Sequence, residues 1–149
     1  MKSLQTGHIG LNVTDLPRSV AFYRRVLGLE TVTESTTPSP FALLGRDGRL
    51  VVTLWQQSTG THDTTRPGLH HLSFQVDTLE EVHEAERVLK ELGAGFRYDG
   101  VVPHREGGTS GGIFFHDPDG TRLEIFTPEG VDATGAAAPS TEAPTCGFF

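Results

Sequence analysis

The chain is nearly free of cysteine. Of its 149 residues only Cys146 carries a thiol, so no disulfide can form within the chain and the composition suits a reducing cytosol. Basic residues are also scarce: 12 lysines and arginines stand against 19 acidic residues, for a net charge of -7. That balance excludes nucleic acid as a partner, because phosphates demand a basic patch. No stretch approaches the ~18–20 apolar residues of a membrane-spanning helix. The opening MKSLQTGH has no long apolar run and leads straight into a strand pattern, so no signal peptide is expected. What remains is a soluble, cytoplasmic protein, long enough for one domain with a real core and with neither nucleic acid nor membrane as partner.

What the chain does have is an internal echo. His8-Ile9-Gly10-Leu11-Asn12-Val13 returns as His71-Leu72-Ser73-Phe74-Gln75-Val76. Both copies alternate, with histidine and small or polar residues at one parity and large apolar residues at the other. Alternate residues of a strand face opposite sides. Each copy therefore reads as a half-buried strand that packs a core on one side and presents a histidine on the other.

The echo extends past each strand. Thr14-Asp15-Leu16-Pro17 opens a helical pattern that runs to Leu27, with Asp15 or Thr14 as cap, Val20, Tyr23 and Leu27 on one side and Gly28 as stop. Thr78-Leu79-Glu80-Glu81 has the form of a capping box. Leu79, Val82, Ala85, Leu89 and Leu92 form the apolar stripe behind it, and Gly93 ends the helix. Strand-like runs come next at Glu30 to Glu34, Phe41 to Leu44 and Leu50 to Gln56, and again at Ala94 to Tyr98, Gly112 to His116 and Arg122 to Thr127. Each half reads strand, helix, three strands. The expected class is α+β: two βαβββ modules, over about residues 5–60 and 68–128, that make one domain. From residue 129 an Ala/Pro-rich tail runs to Cys146-Gly147-Phe148-Phe149, whose aromatic end is expected to pack onto a partner subunit or the pocket mouth.

Chemistry is concentrated in His8, His71 and Glu124. Glu124 lies between Leu123 and Ile125, so strand parity turns it to the polar sheet face with the histidines. Two imidazoles and a carboxylate suit a divalent first-row metal and leave positions open for water or substrate. His70 points the other way by parity. His83 falls on the polar side of its helix, while His104 and His116 are loop or strand-end candidates for a substrate contact. The glycine-rich loop Glu106 to Gly112 reads as a lid or a plain hairpin connection, and it lacks the lysine of a phosphate loop.

Three segments carry a family resemblance: HIGLNVTDLPRSVAFYRRVLGLE at 8–30, HLSFQV at 71–76 and FFHDPDGTRLEIFTP at 114–128. With them the chain resembles the vicinal oxygen chelate superfamily of glyoxalase I, extradiol dioxygenases, fosfomycin-resistance enzymes, methylmalonyl-CoA epimerase and bleomycin-binding proteins. The resemblance covers about residues 5–128. It implies a half-open mixed β-barrel with helices outside, usually in a homodimer, around one divalent metal ion (iron, manganese, nickel, cobalt or zinc). Carried over by position, His8, His71 and Glu124 are the metal ligands.

The resemblance also defines what is missing. Glyoxalase I adds a carboxylate ligand, expected to move the substrate proton. Aligning Asp47-Gly48 with Asp119-Gly120 puts Val52 opposite Glu124, with Thr53 its only polar neighbour. Fosfomycin enzymes need basic residues beyond the last-strand glutamate, and none follows Arg122. Extradiol dioxygenases expect a nearby tyrosine and histidine as acid–base partners. Phe114 and Phe115 stand where that tyrosine belongs, leaving Tyr98, His104 or His116 as catalytic candidates beside Glu124. The reading is a metal-dependent enzyme acting on a small organic substrate through vicinal oxygens, of isomerase, lyase or dioxygenase type. The alternative is a small-molecule or antibiotic-binding resistance protein without catalysis. Its aromatic walls would be Trp55, Phe41, Phe114 and Phe126, though parity places Trp55 in the core.

Overall fold

The computed structural model describes residues 3–132, so Cys146, Phe148 and Phe149 lie outside the described residues. The chain forms two compact units, residues 1–61 and 62–149. Each holds one helix and a four-stranded mixed sheet in βαβββ order, the α+β pattern read from the sequence.

In the first unit β1 (Ile9–Val13) leads into α1 (Leu16–Leu27), then β2 (Glu30–Ser35), β3 (Phe41–Arg46) and β4 (Arg49–Gln56). The sheet order is β1-β4-β3-β2, with β1 parallel to β4 and the other pairs antiparallel. Asp15 caps α1 by accepting the Arg18 amide at 3.0 Å, Pro17 sits in the first turn where its missing N–H costs nothing, and Gly28 closes the helix in the left-handed region. Arg46 reaches back to the open carbonyls, donating to Leu27 at 2.5 Å and to Gly28 at 3.2 Å. Leu11, Val13, Ala42, Leu44, Val52 and Leu54 turn one sheet face to α1, and the helix answers with Leu16, Phe22, Tyr23 and Val26. The helix therefore seats about Phe22 and Tyr23, and Val20 and Leu27 are half-buried at the edge of that face.

In the second unit β5 (Leu72–Gln75) is followed by α2 (Leu79–Glu91), β6 (Val102–Pro103), β7 (Gly111–His116) and β8 (Arg122–Thr127), in sheet order β5-β8-β7-β6. The expected capping box is present: the Glu81 amide donates to Thr78 Oγ1 at 3.3 Å, and the Thr78 amide donates to Glu81 Oε2 at 3.1 Å. Val82, Ala85 and Leu89 press onto β7 and β8, where Ile113, Phe115, Leu123 and Ile125 are buried. Leu92 lies past the last turn and is 37% exposed, outside the stripe assigned to it.

Ala94 to Tyr98 is not a strand. One bridge, Phe96 to Phe115, is all that forms, and the short β6 takes the neighbouring place on β7. The segment from Glu106 onward is the hairpin connection: the His104 amide donates to Ser110 O at 2.9 Å and the Gly108 amide to Arg105 O at 3.0 Å. No helix among the described residues is long and apolar enough to cross a membrane.

Removing the α2 cap should loosen the layer that holds β8 in place. Thr78→Ala is expected to cost about 1 kcal/mol, read as a lower urea midpoint with an unchanged slope.

Candidate active site

β8 lies between β5 and β7, and its alternation divides the residues cleanly. Leu123, Ile125 and Thr127 go to the helix side, while Arg122, Glu124 and Phe126 go to the other face. Glu124 sits level with Ser73 on β5 and Phe114 on β7 and is 4% exposed. A carboxylate so deeply placed needs partners, because an unpaired buried charge is expensive. It has an imidazole on each oxygen: His71 Nε2 lies 3.7 Å from Oε2, and His104 Nε2 lies 2.5 Å from Oε1.

His104 is held from all sides. Its ring packs at 6.1 Å from Phe114 and 5.3 Å from Phe126, and its Nδ1 lies 2.8 Å from Ser110 Oγ. The Ser110 hydroxyl donates its one proton to the Thr127 carbonyl at 3.1 Å. With that donation made, Ser110 Oγ is left to accept from His104, the arrangement that favours a proton on Nδ1. On the other side of the ring, His104 Nε2 and Glu124 Oε1 are in direct hydrogen-bond contact.

On the other oxygen, burial pushes the His71 imidazole below its ordinary value of 6.5. Glu124 pulls in the opposite direction, and the neighbouring His70 and Arg122 add to the lowering. A ring kept neutral in this way is in the form a metal ligand needs. Ligand atoms about 2.1 Å from one ion at a tetrahedral angle lie about 3.4 Å apart, so the 3.7 Å between His71 Nε2 and Glu124 Oε2 suits a shared divalent ion. Among the described residues no group of three or more His, Cys, Asp or Glu is already placed to hold a metal.

In the first unit His8 is exposed and stands immediately before β1. Gly10 pairs with Thr53, in the register that joins Ser73 to Glu124 in the second unit. The counterpart of Glu124 is therefore Thr53, not Val52, which is fully buried on the helix side. The reason is a bulge: Leu50 pairs with Gly45 and Val52 with Leu44, so Val51 is an extra residue with no partner on β3. Thr53 is 2% exposed and accepts a hydrogen bond from Trp55 Nε1 at 3.1 Å. Gln56, at the end of the strand, caps α1 instead, its side-chain oxygen taking the Leu16 amide at 2.8 Å.

A sequence profile described as the glyoxalase/bleomycin resistance protein/dioxygenase superfamily matches residues 5–125. The chain belongs to this superfamily. It is 29% identical over 143 residues to a trivalent organoarsenical cleaving enzyme of Bacillus sp. (strain MD1), covering 96% of this chain and 83% of the relative. It is 30% identical to a lactoylglutathione lyase of Salmonella typhimurium, covering 80% and 89% of the two chains. A glyoxylase/bleomycin resistance protein/dioxygenase domain from Frankia sp. EAN1pec superposes with a TM-score of 0.71 at 28% identity, covering 84% and 93%.

Within that superfamily fold the expected site residues fall into distinct places. His71 and Glu124 face each other. Tyr98 stands edge-on to Phe114 at 5.8 Å, one ring removed from Glu124, with the Arg97 guanidinium 5.5 Å from its ring centre. His116 pairs in register with Arg122, and its Nδ1 lies 3.4 Å from the Gly95 carbonyl. Of the acid–base candidates, His104 is the one bonded to Glu124. Phe114 lies on the face of Glu124 and Phe115 in the core, as strand alternation requires. Trp55 is not a core residue: it is 38% exposed and stacks on Phe41 at 5.2 Å.

Because the folded His71 titrates below its unfolded value, the unfolded chain takes up a proton first as pH falls. This contribution to stability is full above about pH 6.5 and is lost as pH drops through the window down to the folded value. In metal-free protein, denaturation midpoints measured between pH 8 and pH 5 should therefore fall more steeply for the wild type than for His71→Gln.

Proposed function

We propose that the chain is a divalent-metal-dependent enzyme of the superfamily, acting on a small organic substrate through adjacent oxygen atoms. His71 and Glu124 would hold the metal, and His104 would hold the proton that the reaction moves. The observation that carries this reading is Glu124 with an imidazole at each oxygen, His71 on the side suited to a metal and His104 on the other.

A divalent ion held there supplies Lewis acidity toward substrate oxygens. The protein's own share is proton management. With Nδ1 committed to Ser110, only His104 Nε2 faces Glu124, so a proton exchanged with substrate passes at that nitrogen. Phe114 and Phe126 flank the ring and keep water from competing for that proton. This arrangement favours proton-transfer chemistry, an isomerisation or an elimination, over oxygen insertion.

The relatives' substrates are narrowed by this chain's composition. Trivalent arsenic is a soft centre that seeks thiolates; the single Cys146 offers no pair of thiols to grip it. Thr53 at the position facing Gly10 brings no carboxylate to the place where lactoylglutathione chemistry expects one. A distinct oxygen-bearing substrate is the reading that fits both facts. The stack of half-buried Phe41 on exposed Trp55 favours a second reading, a pocket that sequesters a flat small molecule without turning it over.

Elemental analysis separates the two. Purified protein should carry stoichiometric divalent metal, lost in His71→Ala and Glu124→Gln. Wild-type protein that is metal-free and fails to take up added manganese, iron, cobalt, nickel or zinc would sink the enzyme reading. His104→Ala should keep its metal and, on any substrate found, lower kcat by about 100- to 10,000-fold. Full activity in that variant would remove His104 from the reaction.

A further inference from the structure

The polar face beside Glu124 carries a second chain of contacts. His70 precedes β5 and lies outside its hydrogen-bonded ladder, so strand alternation does not turn it away from His71. The two rings instead meet edge to face at 84°, with His70 Nδ1 2.9 Å from His71 Nδ1. On its far side His70 Nε2 lies 3.4 Å from Arg122 Nη1, and Arg122 stands on β8 two residues from Glu124 and on the same face. The order is Arg122, His70, His71, Glu124: a closed path from one residue of β8 to another through two imidazoles.

We infer that His70 is a positioning residue that fixes the His71 ring so that Nε2 faces Glu124. The inference rests on the reading of His71 as a metal ligand. An imidazole attached through one Cβ can rotate, and a ring that must present one nitrogen to a metal gains from a hydrogen bond at the other. At His71 Nδ1 that partner is another histidine. A neutral ring that keeps the lone pair of Nε2 free for a metal carries its proton on Nδ1, so His71 Nδ1 donates and His70 Nδ1 accepts.

Two measurements test this on the full chain. In metal-free protein at pH 8, the proton shared by His70 and His71 should give a slowly exchanging downfield imidazole N–H resonance, absent in His70→Ala. Cobalt(II) titration, followed by its visible absorption, should show about 10- to 100-fold weaker binding and an altered band shape in His70→Ala. His70→Asn, whose amide occupies the place of Nδ1, should recover most of that loss. A wild-type protein without the shared proton resonance, or a folded His70→Ala that binds cobalt within about twofold of wild type with an unchanged spectrum, overturns the inference. If the wild type binds no cobalt, the metal reading fails, and the resonance alone still decides whether His70 holds His71.

Discussion

Glu124 is the constraint on which the second unit turns. A carboxylate at 4% exposure, set in a strand between Leu123 and Ile125, can remain there only if both oxygens are occupied. Each neighbouring strand or strand end is arranged to supply that. The start of β5 delivers His71, and the residue after β6 delivers His104. β7 supplies Phe114, level with the carboxylate, so that its surroundings are apolar and the two imidazole contacts are strengthened. The capping box and apolar stripe of α2 serve the same end from the opposite side, covering the face that Leu123 and Ile125 present. A change in any of these layers moves the carboxylate or its partners.

The first unit follows the same plan and lacks that constraint. Where Ser73 faces Glu124, Gly10 faces Thr53, a neutral hydroxyl that is already supplied with a donor by Trp55. No ionised group is buried at this position, so no pair of histidines is needed there. Gly10 keeps the space above Thr53 open, since a Cβ at that position would come within 3.3 Å of Oγ1. The duplicated scaffold has thus divided its labour. One copy carries the buried carboxylate with its two imidazoles, and the other carries the neutral Thr53, with Phe41 stacked on Trp55.

Legibility from sequence tracks how local each signal is. Both helices and their caps are readable because Asp15, Pro17, Gly28, Thr78 and Glu81 act within one turn of themselves. Glu124 is readable because two apolar neighbours fix its side of the strand. Thr53 is misplaced by one residue because the unpaired Val51 is a property of the β3–β4 pairing and not of either strand alone. Trp55 follows the same slip: the parity that puts Val52 on the polar face puts Trp55 in the core. His104 is visible only as a loop histidine, since its approach to Glu124 depends on the hairpin that pairs Val102 with Gly112. His70 is turned away by a rule that holds inside a ladder and not two residues ahead of it. Ala94 to Tyr98 has strand composition, yet it forms one bridge because β6 already occupies that edge of β7 beyond it.

These misses share a physical origin that also explains the site. The proposed chemistry sits where regular alternation stops: at the residue before β5 and just past β6. A strand interior fixes which way a side chain points but leaves little freedom to aim it, whereas the residue at a strand end keeps its side and gains room to turn. Glu124, inside β8, needs only to be on the right face. His71 and His104, at strand ends, must be aimed at its two oxygens from opposite directions, and each is steered by a hydrogen bond at its other nitrogen, from His70 in one case and Ser110 in the other. A fixed carboxylate approached by two steered imidazoles lets one binding face be adjusted without moving the buried charge, which is how a single scaffold can hold several chemistries.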